Sequence, residues 1–151
     1  GYYPDPLAWG RSHYDAKNHK LYIFDEYRAQ KKSNQAVYDE LKEAGRIINS
    51  ELLIADSSEP KSIADLRAYG ANIRGAEKGP DSVAYSMKWL QSLREIVIDP
   101  VRCPYHLEEF INYELEQDKD GNYISEFPDK NNHFIDETRY RTNLIWRKRG
   151  Q

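Results

Sequence analysis

The amino-acid sequence predicts a mixed α/β fold, and two patterns carry that reading. Short apolar, β-branched or aromatic runs alternate with segments whose apolar residues recur at helical spacing. A hairpin pattern opens the chain and a second comes late, each built around a polar turn. The 151 residues are enough for one domain with a real core.

The elements follow in order. The stretch "PLAWGRSHYDAKNHKLYIFDEYR" is rich in aromatic and β-branched residues, and "DAKNHK" supplies turn chemistry, which predicts a hairpin of residues 6–14 and 20–28. In "SNQAVYDELKEAG", Ser33 is a cap and Gly45 a stop, so a helix is expected over 34–44. "ELLIAD" is an apolar strand at 51–56. A helix follows from about Pro60, since proline suits a first helical turn, and Gly70 ends it. "NIRGAE" is a short strand. "GPDSVAYSMKWLQSL" is a helix with Val83, Met87 and Leu90 at helical spacing. "EIVID" is a buried strand, and "PYHLEEFINYEL" begins as a helix. "ELEQDKDGNYISEFP" reads as a hairpin turning at Asp120-Gly121, and a single helix over about 132–147 closes the chain. A hairpin leading into a parallel strand–helix part is the element order of an RNase H-like fold: a mixed central sheet flanked by helices, with an additional β-hairpin. Periodicity alone does not choose it over other α/β folds.

Composition narrows the function classes. No stretch resembles a signal peptide, and no apolar run is long enough to span a membrane. The single cysteine, Cys103, cannot form an internal disulfide and reads as a buried thiol rather than a nucleophile. The net charge of −3 is unevenly spread. Residues 1–98 carry 14 acids and 14 Lys or Arg, residues 99–138 carry 11 acids and 3 bases, and the last 13 residues carry 5 bases and no acid. One cysteine and four scattered histidines give no closed zinc set. There is no phosphate-binding P-loop pattern and no supporting motif for a Ser/His/Asp triad.

The candidate chemistry lies elsewhere. Asp56 closes the strand "LLIAD", and ligand sites in open α/β sheets lie beyond the carboxyl ends of strands. It reads either as a helix-entry aspartate or as a metal carboxylate, with Glu59 as a possible second acid. His133 and Asp136, three apart on a helix, share one face. That pair is either a plain polar face or half of a metal site. Carboxylate oxygens with one imidazole suit Mg²⁺ or Mn²⁺. Two such ions about 4 Å apart can split a phosphodiester, one activating water and the other stabilising the leaving oxygen. Lys78 and Gly79 precede a helix start, a ready place for a phosphate, and Lys61 and Arg74 could assist as DNA-binding cations, or all three are simply surface cations.

Four linked segments, "ADSSEPKSIADLR", "GAEKGPDSV", "ELEQDKDGN" and "NHFIDETRY", occur in the order and spacing of a known family. The chain resembles the C-terminal nuclease domain of tailed-phage terminase large subunits, in the group found in phages and prophages of Gram-positive bacteria. "GYYPDPLAW" and "LYIFDEY" fit the start of that domain. The resemblance covers nearly the whole chain. It implies an RNase H-like fold and a divalent-metal endonuclease that cuts concatemeric phage DNA, with residues 1–151 as a single nuclease domain. It implies that Asp56, His133 and Asp136 are catalytic metal ligands for two ions, Mg²⁺ or Mn²⁺. The hairpin around Asp118–Tyr123 would lie beside the groove. The implied partners are double-stranded DNA, the terminase small subunit, the portal of the procapsid, and an ATPase motor domain N-terminal in the same full-length chain. The implied location is the host bacterial cytoplasm, with no membrane.

One departure from the family pattern stands at the front. The first-strand aspartate of the family would fall two residues before Gly1, while Asp5 aligns with a later Asp-Pro and reads as structural. Weak metal binding and little cleavage are therefore expected of these residues alone. Two other readings stand beside the leading one. Another RNase H-like nuclease, such as a junction resolvase, would prefer branched DNA. A docking module of the packaging motor would use the basic end "RYRTNLIWRKRG", with Trp146 as its anchor or else as core.

Overall fold

The computed structural model describes residues 6–114, 116–125 and 127–149. The readings placed on Gly1, Tyr2 and Asp5 lie outside the described residues.

β1 (Leu7–Asp15) and β2 (Lys20–Ala29) form the expected antiparallel hairpin, with a bulge between Arg11 and Ser12. Asp15 closes its turn by accepting from the backbone and side-chain amides of Asn18. α1 (Asn34–Glu43) starts at Ser33, whose hydroxyl accepts from the Ala36 amide at 3.1 Å. β3 (Leu52–Ala55) leads to α2 (Pro60–Tyr69), which ends on Gly70 at φ 117°. β4 (Asn72–Gly75), α3 (Ser82–Ser92), β5 (Glu95–Ile98) and α4 (Pro104–Asn112) follow. β6 (Glu116–Gln117) and β7 (Tyr123–Ser125) make the second hairpin. Asp118 organises its turn by accepting from the amides of Asp120 and Asn122, and Gly121 takes φ 85°.

Two details differ from expectation. The central sheet is not one ladder among the described residues. It comprises a mixed three-stranded part, β1-β2-β5, with β5 parallel to β2, and a parallel pair, β3-β4. The closing helix is also two helices, α5 (His133–Arg141) and α6 (Asn143–Arg149). The break at Thr142 has local causes. The hydroxyls of Thr138 and Thr142 bond back to the carbonyls of Phe134 and Thr138, which bends helices. The indole N–H of Trp146 takes the Arg139 carbonyl at 2.9 Å, the acceptor a continuing helix would have offered to Asn143.

α5 packs against both β1 and β3, so one helix bridges the two parts of the sheet. One core cluster lies between β2, β5, α3 and the α5–α6 pair, with Leu21, Ile23, Trp89, Ile135 and Trp146 inside. The other gathers α1, α2 and β4 around Val37, Leu41 and Ile73. Trp146 is 5% exposed, so it is a core residue and not a docking anchor. Among the described residues, no helix is long and apolar enough to cross a membrane.

Candidate metal centre and its buried support

Asp56 sits where β3 ends. The chain turns sharply there, with the Glu59 amide bonded to the Asp56 carbonyl and the Ser58 amide to the Asp56 carboxylate. Gly75, at the end of β4, makes room for that turn: a Cβ there would lie 2.9 Å from the Ser57 side chain. Asp56 Oδ1 also accepts from Lys78 Nζ at 2.6 Å. Burial pushes the Asp56 carboxyl up, but the Lys78 ammonium and the Ser58 amide outweigh it and hold it below its ordinary value.

His133 and Asp136 lie on the first turn of α5. That turn is capped from another helix: Glu109 of α4 accepts from the Phe134 amide at 2.7 Å and from the Ile135 amide at 3.2 Å. Asp136 presents Oδ1 to Arg139, which donates from Nε at 3.2 Å and Nη2 at 2.9 Å. Arg139 is itself buried and donates to Ser86 on α3. Burial raises the Asp136 carboxyl above its ordinary value despite Arg139.

A cavity of 320 Å³ brings these elements together, lined by Asp56, Glu59, His133, Asp136, Glu137 and Tyr140 along with apolar residues of β1 and α2. His133 also borders a second cavity, of 560 Å³, on the α4 side. The fold thus lines one space with the three sequence-expected ligands and Glu59, but the donor atoms of Asp56, His133 and Asp136 do not all lie within 4.8 Å of one another. Two carboxylates and an imidazole match the donors that Mg²⁺ or Mn²⁺ takes. Both carboxylates already face a cation, Lys78 on one and Arg139 on the other.

The expected DNA-binding cations separate. Lys78 reaches the cavity through Asp56 and lies 5.1 Å from the centre of the Tyr140 ring. Lys61 instead pairs with Asp65 one turn along α2, and its side chain is 72% exposed. Arg74 is exposed on β4. None of the three lines the cavity itself.

The structure also shows a network the sequence did not signal. His106 on α4 is fully buried, with Nδ1 bonded to Glu26 of β2 at 2.7 Å and Nε2 to Glu137 of α5 at 2.9 Å. Arg141 holds Glu137 from the same helix and reaches Ser12 on β1. Glu26 accepts from the Tyr105 and His106 amides, capping α4. Four elements are thereby tied together one residue along α5 from Asp136. Nothing local in "LYIFDEY" or "PYHLEEF" distinguishes Glu26 or His106, because their partners are 80 and 31 residues away.

Glu26 and His106 also form, with Cys103, a group of ligating side chains whose donor atoms lie within 4.8 Å of one another. Its chemistry argues against a metal. Both His106 nitrogens already meet carboxylates, and the Cys103 thiol is pushed up to about 12 by burial and by Glu26, so it stays protonated at neutral pH.

Two expected outcomes test the network. A Cβ at Gly10 would lie 2.8 Å from Glu137 Oε1 and 2.9 Å from both Arg141 Nη2 and the His106 ring. Gly10→Ala should therefore destabilise the protein by about 1–3 kcal/mol, read as a lower midpoint in urea. The second concerns acid. Burial pushes the Glu137 carboxyl up, but Arg141 and His106 overcome it and hold it at about 2, against an ordinary 4.5. The folded value is depressed, so this stabilisation is full above pH 4.5 and is lost as pH falls from there through about 2. Urea midpoints measured from pH 6 to pH 3 should fall in the wild type and fall less in Glu137→Gln. Equal slopes would refute the assignment.

The fold has counterparts among known proteins. The family model of the terminase RNase H-like domain matches residues 1–143. The chain is 44% identical over 152 residues to the terminase large subunit of Bacillus phage SPP1, covering 99% of this chain and 36% of that protein. It is 33% identical over 112 residues to the PBSX phage terminase large subunit of Bacillus subtilis strain 168, covering 74% of this chain and 25% of that protein. The chain thus spans about a third or less of the length of these relatives. Among solved structures it is similar to the large-terminase nuclease domain of bacteriophage SPP1 with bound Mn, with a TM-score of 0.84 and 42% identity, covering 100% of this chain and 82% of that one. The P22 large-terminase nuclease domain matches with a TM-score of 0.67 at 14% identity, over 95% of this chain and 77% of that one, which is a likeness of fold.

Proposed function

The chain belongs to the family of terminase RNase H-like domains, and from that membership we propose that it is the metal-dependent endonuclease domain of a DNA-packaging terminase large subunit. One observation carries the reading. A single cavity gathers Asp56 from a strand end with His133 and Asp136 from α5, in a chain similar to a nuclease domain crystallised with Mn.

Asp56, His133 and Asp136 would hold two divalent cations, Mg²⁺ or Mn²⁺. When bound, such ions activate a water and stabilise the leaving oxygen of a phosphodiester. The protein's own residues do the rest. Arg139 fixes the rotamer of Asp136 through Oδ1. Glu109 pins the turn that carries His133 by capping α5. The buried network of Glu26, His106, Glu137 and Arg141 keeps α5 at a set distance from the β1–β2 hairpin. Lys78 brings a positive charge to Asp56, beside which a backbone phosphate would lie.

The substrate would be double-stranded concatemeric phage DNA, cut at the start and end of packaging. Residues 1–151 would form one nuclease domain of a longer chain that also carries the ATPase motor. The terminase small subunit and the portal of the procapsid would be its partners, and the host bacterial cytoplasm its place of action. Lys61 and Arg74, remote from the cavity, would serve as outlying phosphate contacts.

The test is the full-length protein on supercoiled plasmid with Mn²⁺, with and without chelator. Nicking that chelator abolishes is the expected result. Because phosphate contacts supply most of the affinity, DNA binding should weaken about 10-fold or more between 50 and 200 mM salt. Chelator-resistant nicking would overturn the metal reading, and a strong preference for four-way junctions would favour a resolvase.

A further inference from the structure

The two candidate carboxylates each face a cation, and the two cations are held very differently. Arg139 is locked: its side chain is 6% exposed, it donates twice to Asp136, and its remaining Nη1 donates to the buried Ser86. Lys78 is held more loosely: its side chain is 39% exposed, and its ammonium donates to Asp56 Oδ1 and interacts with the Tyr140 hydroxyl. It also lies over the face of the Tyr140 ring.

The backbone beneath Lys78 is nevertheless fixed. The buried Asn143 of α6 accepts from the Glu77 amide at 3.2 Å and donates to the Glu77 carbonyl at 3.1 Å, and Arg147 pairs with the Glu77 carboxylate. On the far side lies Gly79, where a Cβ would meet nothing within 4 Å. A four-carbon arm on a clamped backbone, beside open space, can move its ammonium without moving the loop.

We propose that Lys78 is an exchangeable cation that competes with the divalent metal for Asp56, and that on metal binding it is released to the phosphate of the DNA. The proposal rests on the metal-nuclease reading above and goes beyond it. Asp56 Oδ1 cannot accept a lysine ammonium and a divalent cation together without placing like charges within a few ångströms of each other. Arg139 cannot exchange in this way, so at Asp136 a metal would have to use Oδ2 beside the fixed guanidinium, whereas at Asp56 the competing cation can leave. By linkage, DNA that draws Lys78 away strengthens metal binding, and metal that displaces Lys78 strengthens DNA binding.

The experiment measures Mn²⁺ binding to the full-length protein, freed of metal and nucleotide, by calorimetry, for the wild type, Lys78→Met and Lys78→Gln. Lys88→Met, an exposed lysine on α3, is the charge control. Removing the competing ammonium should tighten Mn²⁺ binding roughly 3- to 10-fold in both Lys78 variants and leave the control unchanged. At saturating Mn²⁺ the same two variants should nick supercoiled plasmid about 10-fold more slowly, because the phosphate contact is gone. A structural or generic charge role does not move the two readouts in opposite directions. Mn²⁺ binding by the wild type with no gain in the Lys78 variants overturns this inference and leaves the metal reading intact. Equal gains in the control overturn it also. Tighter metal with undiminished nicking overturns the phosphate half. Absence of Mn²⁺ binding in every protein overturns the metal reading, and the inference with it.

Discussion

Asp56→Asn and Asp136→Asn are each expected to slow Mn²⁺-dependent nicking of supercoiled plasmid by at least about 10³-fold, with the melting temperature changed by no more than a few degrees. The activity half follows from chemistry: an amide of the same shape supplies no charge to hold a divalent cation. The stability half follows from the surroundings. The Asp56 side chain is 33% exposed, and its one ion pair is to a half-exposed lysine, so the pair contributes little to folding. The Asp136 side chain is 28% exposed, and burial already raises its carboxyl, so the folded state gains little from that charge at neutral pH. Its amide would still accept from Arg139. At Asp136 the fold holds a carboxylate whose charge burial opposes, as is common at functional sites. Retained nicking in either variant would remove that residue from the metal centre. His133→Ala should be milder, about 10- to 100-fold, since an exposed imidazole at the first position of α5 contributes one ligand where the carboxylates contribute charge.

His106→Ala should have the largest effect on stability, a loss of about 3–5 kcal/mol. The imidazole is fully buried, bridges Glu26 to Glu137, and lies edge-on to Phe134 with ring centres 4.8 Å apart. Removing it leaves a cavity and takes away the group that separates two buried carboxylates. For a domain of this size the melting temperature should fall by roughly 10 °C. A calorimetric loss below about 1 kcal/mol would show that the network is dispensable. The two predictions are separable, because one set of variants loses activity with the fold intact and the other loses the fold.

Much of this architecture was legible in the sequence. The first hairpin was written in its aromatic alternation and in Asp15 and Asn18 at its turn. α1 was bounded by Ser33, and α2 by Pro60 and Gly70. These signals are local: a cap, a turn or a residue with a special φ acts over three or four positions. The helix break at Thr142 was harder to see. Its causes are a tertiary bond from Trp146 and two threonines that read as ordinary helix residues by composition. The division of the sheet into two hydrogen-bonded parts was likewise invisible to periodicity, which reports which face of a strand is buried and not which strand lies beside it.

The candidate site divides along the same line. By itself the sequence determined the candidate donors: an aspartate at a strand end, a histidine and an aspartate on one helical turn, and four segments in the order of a nuclease family. Those properties live in residue type and short spacing, so a linear reading reaches them. Only the tertiary structure decided what surrounds them. It put Lys78 on Asp56 and left Lys61, expected to assist it, on the surface with Asp65. It buried Arg139 behind Asp136 and set Glu26, His106 and Glu137 in a row across 111 residues of chain. The physical reason is range. Hydrogen bonds and ion pairs act over about 3 Å in space, and when the partners are 80 residues apart in sequence, only the packing of β2, α4 and α5 brings that distance about.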